Sequence, residues 1–90
     1  MVPETVRLRP AALEWRMVEG EVVALDVARS EYVLINRSGT ALWDLLAEGS
    51  TPARLVERLV DRYGLLPEAA SADVDAFLAV LGARQLLESA

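Results

Sequence analysis

Ninety residues with a net charge of −5, 53% apolar and 26% charged, make one small globular domain, which buries roughly 60 to 65% of its unfolded surface. The chain has no Cys and no His, and all nine basic residues are Arg, so imidazole bases, Ser/His and Cys/His pairs, thiolate or imidazole metal sites, Schiff bases and P-loops are excluded. No apolar run approaches the roughly 18 residues that span a bilayer, and "MVPETVRLRPAALEW" lacks the apolar segment and cleavage pattern of a signal peptide, so a cytoplasmic protein with no membrane partner is expected.

Residues 1–12 read as an N-terminal tail. "LEWRMV" (13–18) alternates Leu13, Trp15 and Met17 with Glu14 and Arg16, the period of a half-buried strand. Glu19-Gly20 turns the chain back into a second strand, 21–27. There Val23, Leu25 and Val27 share one face, and Val22, Ala24 and Asp26 the other. A third strand follows at Tyr32-Val33-Leu34-Ile35, apolar on both faces. A sheet surface facing water would not carry that pattern, so something must cover its second face or its edge. As the last strand of a meander it is an edge.

From Asn36 the period lengthens to 3.6. Asn36 or Ser38 caps a first helix whose stripe is Leu42, Trp43, Leu45 and Leu46, and Gly49 stops it. Thr51 and Pro52 open a second helix, with Leu55, Val56, Leu59, Val60 and Tyr63 on its apolar face and Gly64 at its end. "LLPEAASA" reads as a linker. Ser71 or a neighbour caps a third helix with the stripe Val74, Phe77, Leu78 and Leu81, weakened at Gly82 by about 1 kcal/mol relative to Ala, before "LLES" closes the chain. Three strands then three helices make an α+β domain of winged-helix-like arrangement. Trp15 and Trp43 read as core.

The fourteen carboxylates are scattered. Asp73 and Asp75 lie two apart on a helix and do not face each other. Arg54, Arg58 and Arg62 form an i, i+4, i+8 stripe beside Glu57 and Asp61, the pattern of a mixed solvated face, and the net charge opposes a nucleic-acid partner. No catalytic residue, cofactor or metal ligand is expected.

"ALDVARSEYVLINRSGTALWDLLAEGSTPARLVERLVDRYG" followed by "ADVDAFLAVLGARQLLE" resembles the PqqD family, small winged-helix-like domains that recognise the leader peptides of ribosomally made, post-translationally modified peptides. The pattern is an aromatic then an aliphatic strand, Asn, a small-residue turn, a helix bearing Leu-Trp, an acidic-Gly stop, and a last helix with Asp-Val-x-x-Phe-Leu. It spans residues 13–88, the leader-binding domain. A free-standing version is similar to the leader-binding protein of split lasso-peptide systems, in which a leader peptidase and a macrolactam synthetase do the chemistry.

The resemblance implies that a precursor leader adds as a strand to the third strand and packs against the third helix, with this chain monomeric when leader-bound. Carried onto this sequence, Tyr32, Val33, Leu34 and Ile35 form the template edge. Asp73, Ala76, Phe77, Val80 and Arg84 form the helical wall at i, i+3, i+4, i+7 and i+11. By size, Leu34, Ile35 and Phe77 are expected in the core, leaving Val33, Ala76 and Val80 to the groove. Asp73, near the third helix's N-terminus, would complement the dipole and face a basic leader residue. The alternatives are a winged-helix DNA-binding regulator, which needs a basic recognition helix, a small structural dimerisation module, and a carboxylate enzyme.

Overall fold

Leu13–Val18 (β2) and Glu21–Asp26 (β3) form an antiparallel hairpin through the Glu19-Gly20 turn, where both residues take positive φ, 51° and 81°. The computed structural model describes residues 4–89. Glu31–Leu34 (β4) pairs with the other side of β3, giving the order β2-β3-β4, with Ala24 opposite Val33 and Leu25 opposite Tyr32. Three helices follow: α1 (Arg37–Glu48), α2 (Pro52–Tyr63) and α3 (Pro67–Ala83). The expected α+β architecture, a three-stranded antiparallel sheet followed by three helices, is the observed one.

Local chemistry accounts for the helix ends. The Asn36 side chain accepts from the Gly39 N–H at 2.8 Å and so caps α1. Thr51 accepts from the Arg54 N–H at 3.3 Å ahead of Pro52, and Gly64 closes α2 in the left-handed region at φ 65°. α3 begins a turn earlier than Ser71. Pro67 supplies a preset first position, so "PEAA", read as linker, is helical. At its far end Gln85 takes φ 59°, and the N–H groups of Leu86 and Gln85 donate to the Leu81 and Gly82 carbonyls, both 3.0 Å, the Schellman arrangement.

Two short strands extend the expected fold. Val6–Leu8 (β1), within the stretch read as a tail, pairs antiparallel with Leu87–Ser89 (β5), and an Arg7–Glu88 ion pair joins them. Leu8 is buried beneath, so residues 6–8 belong to the domain. Residues 1–3 of the expected tail lie outside the described residues.

The core lies between the inner face of the sheet and the helices. Trp43, Leu42 and Leu46 of α1 meet Leu55 and Leu59 of α2, Val74 and Leu81 of α3, and Val22 and Ala24 of β3, all essentially inaccessible. Each fully buried Leu or Val contributes about 1.5–3 kcal/mol. Trp43 is core as expected, but Trp15 is 45% exposed. It stands on the inner face at the outermost strand, where it overhangs the helices and reaches only the edge of Trp43, with 5.9 Å between ring centroids. Arg58 also departs from the solvated stripe. Its guanidinium donates to the Ala41 carbonyl and to the Asp44 carboxylate, both at 2.9 Å, and so ties α2 to α1.

Candidate functional site

The pleat divides β4. Val33, opposite Ala24, is 8% exposed and faces inward, and Ile35 just beyond the strand is 4% exposed. Tyr32 and Leu34, opposite Leu25 and Val23, stand on the outer face at 72% and 84% exposed. The domain therefore covers one face of this apolar strand and leaves the other open. Leu34, expected in the core, is corrected to the surface, because alternate residues of a strand must take opposite faces. The edge of β4 away from β3 carries no strand among the described residues.

Beside that edge runs a groove of about 460 Å³. Its β4 side is Val33, Leu34, Ile35 and Asn36. Its opposite wall is one face of α3, where Asp73, Ala76, Phe77 and Val80 recur at i, i+3, i+4 and i+7. Ser38 and Leu42 of α1 and Leu81 complete the lining. Seven of the nine anticipated residues thus come together there: Val33, Leu34, Ile35, Asp73, Ala76, Phe77 and Val80. Val80, 54% exposed, and Ala76 stand at the opening, while half-buried Phe77 packs over Trp43, with 6.4 Å between centroids.

Two anticipated residues lie elsewhere. Tyr32 borders a smaller hollow of about 220 Å³ on the outer face of the sheet, with the side chains of that face, Glu14, Arg16, Val23 and Leu25. Arg84 is the C-cap of α3, past the last regular turn, so helical spacing no longer aims it at the groove. It instead lies 3.6 Å from Asp26 and 3.5 Å from Glu31. The Asp26 carboxylate also accepts from the Arg29 N–H and guanidinium, each at 3.2 Å, and Arg29 donates to the Arg84 carbonyl at 2.9 Å. Burial alone would raise the Asp26 carboxyl. The hydrogen bonds from Arg29 and the charges of Arg29 and Arg84 outweigh it and hold the group below the ordinary carboxylate value. This cluster fastens the end of α3 to the β3–β4 turn and so fixes the separation of the groove's two walls.

Asp73 is corrected in one respect. Because α3 starts at Pro67, Asp73 is its seventh residue, beyond the first turn in which the dipole acts. Among the described residues it is the one charged side chain lining the groove. Asn36, Ser38, Leu42 and Leu81 were not anticipated there, although Asn36 and Ser38 were legible as cap candidates at the strand-to-helix junction, where a sheet edge and a helix start converge.

An unpaired strand edge beside an apolar groove suits an extended peptide. Main-chain groups of such a peptide would bond along the edge, its alternate side chains would enter the groove, and a cationic one would suit the position opposite Asp73. Among the described residues no group of three or more His, Cys, Asp or Glu is arranged to hold a metal ion, and no helix is long and apolar enough to cross a membrane.

The family model for coenzyme PQQ synthesis protein D (PqqD) matches residues 21–87. Two solved structures are similar. TbiB1 in complex with the TbiA(beta) leader peptide is 27% identical with a TM-score of 0.81, over 91% of this chain and 94% of that one. Lasso peptide synthetase B1 complexed with the leader peptide is 24% identical with a TM-score of 0.78, over 92% and 96%, a likeness of fold. No curated protein sequence matches the chain.

Proposed function

The chain belongs to the PqqD family, and from that premise we propose that it is a non-catalytic adaptor that captures the leader region of a ribosomally made precursor peptide and presents it to a leader peptidase and a macrolactam synthetase in lasso-peptide biosynthesis. The leader adds as a strand to β4 and lays alternate side chains into the groove against α3. The observation that carries this reading is the unpaired β4 edge bordering an apolar groove whose far wall is a single face of α3. The chain's likeness to TbiB1, a protein solved in complex with a leader peptide, supports leader binding as its function. Main-chain bonds along the edge are largely blind to sequence, so selectivity resides in the groove.

Fluorescence anisotropy tests the proposal, using the labelled synthetic leader of a cognate precursor peptide identified by reading the genes that neighbour this chain's own. Binding is expected at micromolar Kd or tighter, about −8 kcal/mol or stronger, without metal or nucleotide. Anisotropy unchanged at high micromolar protein would refute it. Mass spectrometry of precursor and protein incubated together is expected to return intact precursor, and cleavage or cyclisation without a second enzyme would refute the adaptor role.

A further inference from the structure

Gly39 is the third residue of α1. Its φ is not positive, and its N–H bond to Asn36 would be made by any residue but proline. Glycine is also among the weakest helix formers, so neither the backbone nor the cap accounts for it. Space does. A Cβ at position 39 would lie 2.7 Å from Ile35 Cγ2, 2.7 Å from Phe77 Cε1 and 2.8 Å from Phe77 Cζ, about 1 Å inside ordinary carbon–carbon contact.

The two neighbours differ in what they can yield. Ile35 is β-branched and 4% exposed, held within the core. Phe77 presents the tip of its ring, is half-buried, and lines the groove. We propose that Gly39 is a specificity-determining residue that sets the depth of the groove. The Phe77 ring seats against its bare Cα, and any side chain at 39 lifts the ring into the space a ligand would fill. The ligand class that follows is an extended peptide with a bulky apolar side chain where it meets Phe77. This rests on the groove being the peptide site, and it assigns its depth to a residue that does not line it.

Gly39→Ala and the double variant Gly39→Ala/Phe77→Leu, which removes Cε1 and Cζ, test the idea in two ways. Without peptide, nuclear Overhauser contacts in the parent should join the Phe77 ring to the Gly39 Hα protons and the Ile35 methyls, and Gly39→Ala should displace the ring from Ile35. With peptide, using the TbiA(beta) leader and the leader named above, Gly39→Ala should bind about tenfold more weakly or worse than the parent, whereas the double variant should bind about as well as Phe77→Leu alone, the comparison that allows for Phe77's own place in the groove. An unmoved ring overturns the proposal, as does a Gly39→Ala change that costs as much binding beside Phe77→Leu as it does in the parent. If both variants unfold, the conflict lies with Ile35 and the proposal fails. A double variant that folds where Gly39→Ala does not supports it. Failure of the peptide reading looks different, because the parent itself would then bind neither leader while the ring position still reports on Gly39.

Discussion

The guanidinium of Arg84 lies 3.6 Å from the carboxylate of Asp26, whose side chain is 1% exposed. One residue ends α3 and the other ends β3, so their contact closes the domain across the side of the sheet that also carries β4. A buried carboxylate is tolerable only when paired and hydrogen-bonded, and here Arg29 and Arg84 do both.

Acid should therefore loosen this junction. The folded Asp26 carboxyl lies below its ordinary value: burial raises it, and Arg29 and Arg84 more than compensate. A depressed folded pKa contributes stability that is present above the unfolded value of about 3.9 and is lost as pH falls below it through the folded value. Asp44 is lowered as well, where burial opposes and the Arg58 bond and charge prevail. Its side chain is 68% exposed, so solvent screens most of that effect. Melting followed by circular dichroism should show the parent losing stability below about pH 4. Asp26→Asn should melt lower at neutral pH and lose less on acidification. An equal acid slope in both proteins would remove Asp26 from this role.

Gly82 is the counterpart of Gly39. It sits in the last turn of α3, is exposed, and a Cβ there meets nothing within 4 Å. Gly82→Ala should stabilise the domain by about 0.5–1 kcal/mol, raising Tm by several degrees. A lower Tm would mean that α3 needs its flexibility at that point.

The two faces of β4 predict unequal costs. Leu34 is 84% exposed, while Val33 on the other face is 8% exposed, so Leu34→Thr should change stability by no more than about 0.5 kcal/mol, whereas a Leu seated in the core would cost about 2–5 kcal/mol when truncated. A large loss in a urea titration would place Leu34 inside.

Much of this fold is legible where the signal is local. Thr51-Pro52 and Gly64 bound α2 because capping uses only neighbouring atoms, and the spacing of Asp73, Ala76, Phe77 and Val80 puts them on one face of α3 wherever that helix begins. The remainder depends on distant packing. Val23 and Leu25 share one face of β3 and Val22, Ala24 and Asp26 the other, and the alternation alone does not say which is inside; the face carrying Asp26 is, with its carboxylate bonded by nearby Arg29 and approached by Arg84 from far along the chain. The β1–β5 pair joins residues 81 apart in the chain, Arg7 and Glu88, and three-residue strands carry too little pattern to announce themselves. Arg84 escapes the helical extrapolation because the helix has ended, and Trp15 stays half-exposed because, among the described residues, no strand lies beyond β2 to cover it.

Groove and core separate most sharply in Val80→Asp and Trp43→Ala. Val80 lines the groove at 54% exposed, so a carboxylate there is hydrated in the free protein and should leave Tm nearly unchanged. Once a leader covers it, the charge lies unpaired against the ligand's apolar side chain and near Asp73. Desolvating it should cost several kcal/mol of affinity, on the order of a hundredfold or more in Kd. Trp43, 1% exposed, packs against Trp15 and Phe77. Trp43→Ala should cost about 3–5 kcal/mol of stability, a large share of what a small domain has, and its loss of binding should follow the fraction unfolded. Melts run beside the anisotropy titration distinguish the two causes. The α3 wall ceases to be the binding surface if Val80→Asp binds leader like the parent, or if it loses binding only where the domain has already melted.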